Sequence, residues 1–226
     1  MRAGGPVMWP LFAMSITSIA CGLERAWFWF RLLSQENRVV RDVLDAARMD
    51  LHRATEIAEQ AKELPIGRFL LAPLNLKNPT PETFRLSLEA AGDKEFIQMR
   101  KGEKLLETIV GLAPLLGLLG TVTGLITTFS NLNIGGGTTT QEATRAAAGI
   151  GEALITTAMG MLVAIVALAI LRVLVILQTG QMDYFSEVGS ELELIYRQVW
   201  YEPRFYRQEP YQEPSPIHPP LPIEGY

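Results

Sequence analysis

The chain of 226 residues holds one cysteine, Cys21, and two histidines, His52 and His218. A single thiol excludes a disulfide framework within the chain. Each histidine stands apart from other ligand-type residues, so neither reads as a metal ligand. An excess of basic residues is also missing: 20 Lys and Arg against 24 Asp and Glu leave a net charge of −4, with no hint of nucleic-acid binding. No nucleophile with a base and no nucleotide loop is visible. The one glycine-rich run, "GGGTTT" at 135–140, lacks the lysine of a phosphate loop and reads as a flexible turn. The expectation is a protein that is not an enzyme and holds no metal or organic cofactor.

Charge is scarcest in three apolar runs, at 7–23, 105–129 and 146–177. Each is near the ~20 residues that cross the hydrocarbon of a bilayer. The expected architecture is an all-α integral membrane protein with three transmembrane helices and long cytoplasmic helical extensions, forming a ring-shaped homo-oligomer. The chain divides into 1–31 (outer N-terminus and first span), 32–104 (cytoplasmic helical segment), 105–178 (second and third spans, with an outer loop at about 130–142), 179–201 (cytoplasmic helical extension) and 202–226 (disordered Pro-rich tail). A secretory signal is the rival reading of the first run, since "SIAC" resembles a lipoprotein cleavage site. Ser18 stands where such a site wants leucine, however, and "ERAWFWFR" reads as an interfacial aromatic and charged anchor. With 32–104 inside, only Arg2 and Arg145 among the basic residues lie outside. That distribution places the N-terminus outside and the C-terminus in the cytoplasm.

In "SQENRVVRDVLDAARMDLHRATEIAEQAKELP" apolar residues recur at helical spacing, which predicts an amphipathic helix continuing the first span until Pro65 closes it. "LLAPLNLKNPTPET" reads as a turn-rich elbow. Thr80 as N-cap and Pro81 at the first helical position then open a helix running straight into the second span, with bends at Gly92 or Gly102. The apolar stripes of these helices are buried either against neighbouring subunits or against one another. The tail is rich in Pro, Glu and Gln, a composition that builds no packed core.

On a helical wheel the second span gathers Ala113, Gly117, Gly120, Gly124 and Thr127/Thr128 in one sector, with Thr121 on its edge. The third span gathers Ala146, Gly149, Ala153, Gly160, Ala164 and Ala167, flanked by Thr156 and Thr157. Small residues in such stripes let helices approach closely; Gly117, Gly120, Gly124, Gly149, Ala153 and Gly160 are the packing candidates. Packing does not explain Glu152, whose charge at the bilayer centre would cost ~3 kcal/mol. Glu152, Thr156 and Thr157 all fit one polar interior face, suited to a pore-forming assembly. The plainer alternative is an ion pair between Glu152 and Arg145 near the outer interface.

"APLLGLLGTVTGLITTF" at 113–129 and "GIGEALITTAMGMLVAI" at 149–165 resemble the two signature stretches of the MotA/TolQ/ExbB proton-channel family, most closely its ExbB/TolQ branch; "GGPVMWPL" and "ERAWF" are similar to that branch too. The resemblance implies an inner-membrane subunit in a ring, typically a pentamer, around the single-span helices of an ExbD/TolR-like partner. It implies protons as the coupling ion and a TonB- or TolA-like protein as the recipient of the work, in biopolymer uptake or envelope maintenance. The family's polar positions fall on Thr121, Glu152 and Thr157, with Thr156 beside them. Arg145 and the Pro-rich tail depart from the family pattern. On this reading the partner helix supplies an Asp opposite Thr121 and Thr157, and Glu152 shapes proton access from outside. A non-conducting membrane scaffold that stabilises a partner is the alternative.

Overall fold

A computed structural model describes residues 6–130 and 140–203, with only the backbone described at 140–143 and 145. The described residues form helices and turns, with no strand among them. The helices are α1 (Met8–Met49), α2 (Leu51–Gln60), α3 (Pro65–Leu74), α4 (Pro81–Met99), α5 (Glu103–Ser130) and α6 (Thr140–Ile195), followed by a π-helical segment, Tyr196–Tyr201. Most of the outer loop expected at about 130–142, namely 131–139, the Pro-rich tail beyond Pro203 and the side chain of Arg145 lie outside the described residues.

Three features of the polar segment correct the sequence reading. The helix leaving the first apolar run stops at Asp50, which takes an extended backbone (φ −153°, ψ 116°) and accepts a hydrogen bond from His52 N at 2.8 Å. Apolar spacing continues across that point, so periodicity alone does not show an aspartate acting as the N-cap of α2. Pro65 opens α3 rather than closing its predecessor, because it needs no backbone donor at the first helical position and holds Leu64 extended (ψ 140°). The elbow accordingly begins at Asn75, after "LLAPL" has been absorbed into α3. Finally, α4 does not run unbroken into α5: Gly102 takes φ +89°, a conformation glycine adopts without strain, and a Cβ there would stand 2.8 Å from Cys21 Sγ. Thr80 and Pro81 start α4 as expected, Thr80 Oγ1 accepting from Thr83 N.

The stripes of the polar segment bury one another within the chain. Val43, Ala47, Ala54, Ala58, Ile66 and Leu70 are all sealed from solvent. Phe185 of α6 packs on Phe69 and Phe96, with ring centroids 4.7 and 5.3 Å apart. Phe84 stacks on Tyr196 at 4.4 Å, and the Tyr196 hydroxyl donates to the Pro79 carbonyl at 2.6 Å. Arg68 forks onto the buried Glu95, Nε to Oε1 at 2.8 Å, and donates to the Lys62 and Glu63 carbonyls just past the end of α2. These contacts fasten α2, α3 and α4 to the lower half of α6.

α1 and α6 run parallel: Gly22 meets Ile170, Asn37 meets Tyr184, Arg48 meets Glu191, and Trp200 donates to the Ala47 carbonyl at 2.8 Å. α5 runs antiparallel to α6. Among the described residues, two helices are long and apolar enough to cross a membrane, Glu103–Ser130 and the helical stretch Ala146–Tyr201, with 22% and 28% of their most apolar windows buried. A core helix of a soluble protein is mostly buried, so these two expose apolar surface that needs lipid or another helix.

Candidate functional site: a polar cleft between two close-packed helices

The contact between α5 and α6 is built from backbone rather than side chain. A Cβ on Gly117 would lie 3.1 Å from Thr157 Cα and 3.3 Å from Gly160 Cα; one on Gly160 would lie 2.6 Å from the Ala113 carbonyl oxygen. Gly120 rests on the Thr156 side chain, Gly124 on Ala153, and Gly149 on the Thr128 side chain. All six small residues singled out from the sequence, Gly117, Gly120, Gly124, Gly149, Ala153 and Gly160, therefore meet in this one interface. Leu115, Leu118, Ile126, Leu154, Leu162 and Ile165 point away from it and are exposed.

Toward the ends of the helices nearest the undescribed connection, the interface opens into a cavity of about 230 Å³. At roughly 30 Å³ per water it has room for several. Glu152 and Thr156 line it from α6, and Thr123, Thr127 and Thr128 from α5, with Pro6 and Val7 beside the start of α1 closing one side. Thr156 is 1% exposed, whereas Glu152 is half-buried and open to the cavity.

The threonine hydroxyls give the cleft its character. Thr123 donates to the Leu119 and Gly120 carbonyls, Thr127 to the Thr123 carbonyl and Thr128 to the Gly124 carbonyl. Thr156 donates to the Glu152 carbonyl at 3.1 Å. A hydroxyl that spends its proton on its own helix presents oxygen lone pairs outward. Together with the Glu152 carboxylate, these oxygens make a surface of acceptors, which suits water, hydronium or another small cation.

The three polar residues of α6 expected to share one face are thus divided, and Thr121 of α5 stands apart from them. Glu152 and Thr156 meet in the cavity. Thr157 instead turns into the helix contact, its hydroxyl donating to the Gly117 carbonyl at 2.8 Å across the interface. Thr121 lies on another flank of α5, half-buried, with its hydroxyl on the Leu118 carbonyl at 2.7 Å. Sequence reasoning misses Thr123, Pro6 and Val7 as lining residues. Thr123 is legible only as the second threonine of "GTVTG", and nothing local ties Pro6 to residues more than a hundred positions away.

Comparisons with known proteins bear on the family. The model of the MotA/TolQ/ExbB proton channel family matches residues 61–187, a stretch that contains the whole α5–α6 contact. A Synechocystis protein described as putative biopolymer transport protein ExbB-like 1 is 70% identical over 200 residues, covering 88% of this chain and 79% of that one. A second Synechocystis protein, ExbB-like 3, is 38% identical over 201 residues, 89% of this chain and 95% of its own. The biopolymer transport protein exbB1 of Vibrio cholerae is 32% identical over 170 residues, 73% of each chain. With its all-helical build and its two apolar helices joined by small residues, the chain belongs to the MotA/TolQ/ExbB proton channel family, in its ExbB branch.

Proposed function

We propose that the chain is the ring-forming subunit of a proton-driven motor in the inner membrane. In this reading it assembles as a homo-oligomer, typically five copies, around the single helix of an ExbD/TolR-like protein. The pair converts proton motive force into work on a TonB- or TolA-like protein, and the chain itself catalyses no covalent chemistry.

The observation that carries the proposal is the acceptor-lined cavity of Glu152 and Thr156, set in a helix pair that exposes apolar surface elsewhere. A polar cleft in such a pair has little use in a purely structural contact, because an ionisable group in the membrane is costly unless it serves an ion or a partner. The exposed row Trp9, Phe12, Ile16, Ile19, Leu23, Trp27 and Phe30 on α1 supports a third span beside the other two. With the basic residues concentrated in the polar bundle, that bundle and the C-terminus lie in the cytoplasm and the N-terminus outside. Glu152 is then on the outer side, about 10 Å along the helix from Arg145 at ~1.5 Å per residue. Protons reach the cavity from outside, pass to a carboxylate on the partner helix, and change that helix's preferred position in the ring.

The test is proton flux into liposomes holding the chain with its partner. Flux is expected with the native chain and lost with Glu152→Gln, while the complex keeps its native size. A native complex that assembles and conducts no protons would leave the scaffold reading in place.

A further inference from the structure

Where α1 and α6 leave the apolar region, their contact face turns polar. Glu36, five residues past Arg31, is 4% exposed, and both of its carboxyl oxygens lie 2.8 Å from Gln181 Nε2. Gln181 is 3% exposed, and its Oε1 is buried without a hydrogen-bond partner. An ionised carboxylate only accepts hydrogen bonds, so it leaves that amide oxygen unsatisfied. A protonated carboxyl also carries an O–H that can donate to an amide oxygen. Buried polar groups are almost always satisfied. Glu36 is buried with a neutral amide as its hydrogen-bond partner and has no ion pair among the described residues, and burial without a counter-charge favours the neutral carboxyl.

The surroundings point the same way. Burial pushes the Glu36 carboxyl above its usual range, opposed by the Gln181 hydrogen bond. Tyr184, the next ionisable group on this face of α6, donates its hydroxyl to Asn37 Oδ1 at 2.9 Å, and burial pushes its pKa up. The basic residues nearby do not answer Glu36's charge. Arg38 and Arg41 on α1, and Arg100 and Lys101 in the turn from α4 to α5, are all exposed. Arg25 is buried on the same face of α1, but eleven residues away, roughly 16 Å at the helical rise.

Between Arg25 and Glu36 the seam is unusually polar for buried structure. Arg25 Nη1, Trp29 Nε1 and Glu103 Oε1 are buried without hydrogen-bond partners among the described residues, and Gln178 donates to the Met99 carbonyl at 3.3 Å. Gly102 sits against Cys21, which brings the start of α5 to this stretch of α1. Unpartnered buried donors and acceptors are rare in folded proteins and mark this stretch as a polar seam.

We propose that Glu36 and Gln181 form a second proton-binding site of the subunit, on the cytoplasmic side, in series with the outer cavity at Glu152. Glu36 takes a proton from a hydronium arriving at the polar seam, leaving water, and releases it past Asn37 to cytoplasmic water. Only O–H bonds form and break. The proposal rests on the proton-carrying reading of the chain for its direction of flow, but not for the protonation of Glu36 itself.

Two measurements on the full-length protein test it. Infrared spectroscopy of the chain in detergent, titrated from mildly acidic to mildly alkaline pH, should show a protonated-carboxyl band that persists at neutral pH. That band should disappear in Glu36→Gln, which keeps the side-chain volume and can still pair with Gln181, and should remain in Glu152→Gln. A spectrum in which no neutral-pH band is lost in Glu36→Gln overturns the proposal. In liposomes containing the chain and its partner, Glu36→Gln should lower proton uptake several-fold at native complex size, and Glu36→Asp should recover part of it. Unchanged uptake in Glu36→Gln also overturns the proposal. Absence of uptake in the native complex would instead refute the proton-carrying reading, and the infrared titration would still decide whether Glu36 holds a proton.

Discussion

In the apolar half of the molecule, α5 and α6 touch through Gly117, Gly120, Gly124, Ala153 and Gly160, backbone nearly on backbone. In the polar half, α6 and the π-helical segment that continues it meet α3 and α4 through Phe69, Phe96, Phe185, Phe84 and Tyr196. The aromatic contact turns its large side chains inward, so that Phe84 and Phe185 are 1% exposed. The glycine contact turns its large side chains outward, leaving Leu115, Leu154 and Leu162 exposed and placing polar atoms in a cavity inside. One half is a finished core. The other is a surface prepared on two sides, apolar outside for lipid or a neighbouring helix and oxygen-lined inside. A single helix of 56 residues spans both.

The comparison is broken most forcefully at Phe185. Replacing it by Ala leaves a cavity against Phe69 and Phe96, and truncations of buried Phe cost about 3–5 kcal/mol. Unfolding of the full chain in detergent, followed by intrinsic fluorescence, should show that loss. A change below about 1 kcal/mol, the size typical of an average substitution, would mean that the bundle is held by neighbouring copies rather than by its own core.

What is legible in the sequence is set by range. The apolar runs of α5 and α6 and the small-residue stripes are visible because their pattern repeats every three to four residues along one helix. Thr80 and Pro81 are visible because an N-cap is a local device. The break at Asp50 is hidden by apolar spacing that continues through it, and Pro65 is ambiguous because a proline fits both the close of one helix and the first turn of the next. The pairings that give the polar half its order, Arg68 with Glu95, Trp200 with the Ala47 carbonyl and Glu36 with Gln181, join residues 27 to 153 positions apart. No spacing rule connects them. At the cleft, the wheel finds Glu152 and Thr156 but sets Thr157 beside them, because it shows direction from the axis and not which neighbour fills it.

A smaller effect sharpens the contrast between glycines. Gly160→Ala puts a methyl 2.6 Å from the Ala113 carbonyl oxygen, so the helices must separate, at about 1–3 kcal/mol for overpacking. Gly151, earlier on the same helix, has open space where a methyl would stand, with nothing within 4 Å. Gly151→Ala should therefore be neutral or stabilising by up to about 1 kcal/mol, the helix-propensity gain. Thermal melts of the two variants side by side test the difference. If Gly151→Ala is instead clearly destabilising, another helix occupies that open side and the apolar half is completed by a neighbour there.

The smallest change asks whether the two halves of the cleft, packing and polarity, are separable at one residue. Thr157 donates its hydroxyl to the Gly117 carbonyl at 2.8 Å, at the level where the two backbones are closest. Hydrogen bonds between membrane helices are worth about 0.6 kcal/mol on average and rarely above ~1.7. Thr157→Ala removes the bond, keeps a small residue in the contact and frees the Gly117 carbonyl to accept from water or from a partner helix. The helix pair should survive with a loss of about 1 kcal/mol or less in melts, and the complex should keep its native size. Proton flux should nevertheless fall, because an acceptor that was closed off now competes for the proton path. Thr157→Val separates the causes: it restores the side-chain volume without the hydroxyl. Flux that stays low in both variants assigns the effect to the hydroxyl. Flux that recovers in Thr157→Val assigns it to the space the methyl fills, and Thr157 then belongs to the packing of the helix pair, as the glycines opposite it do.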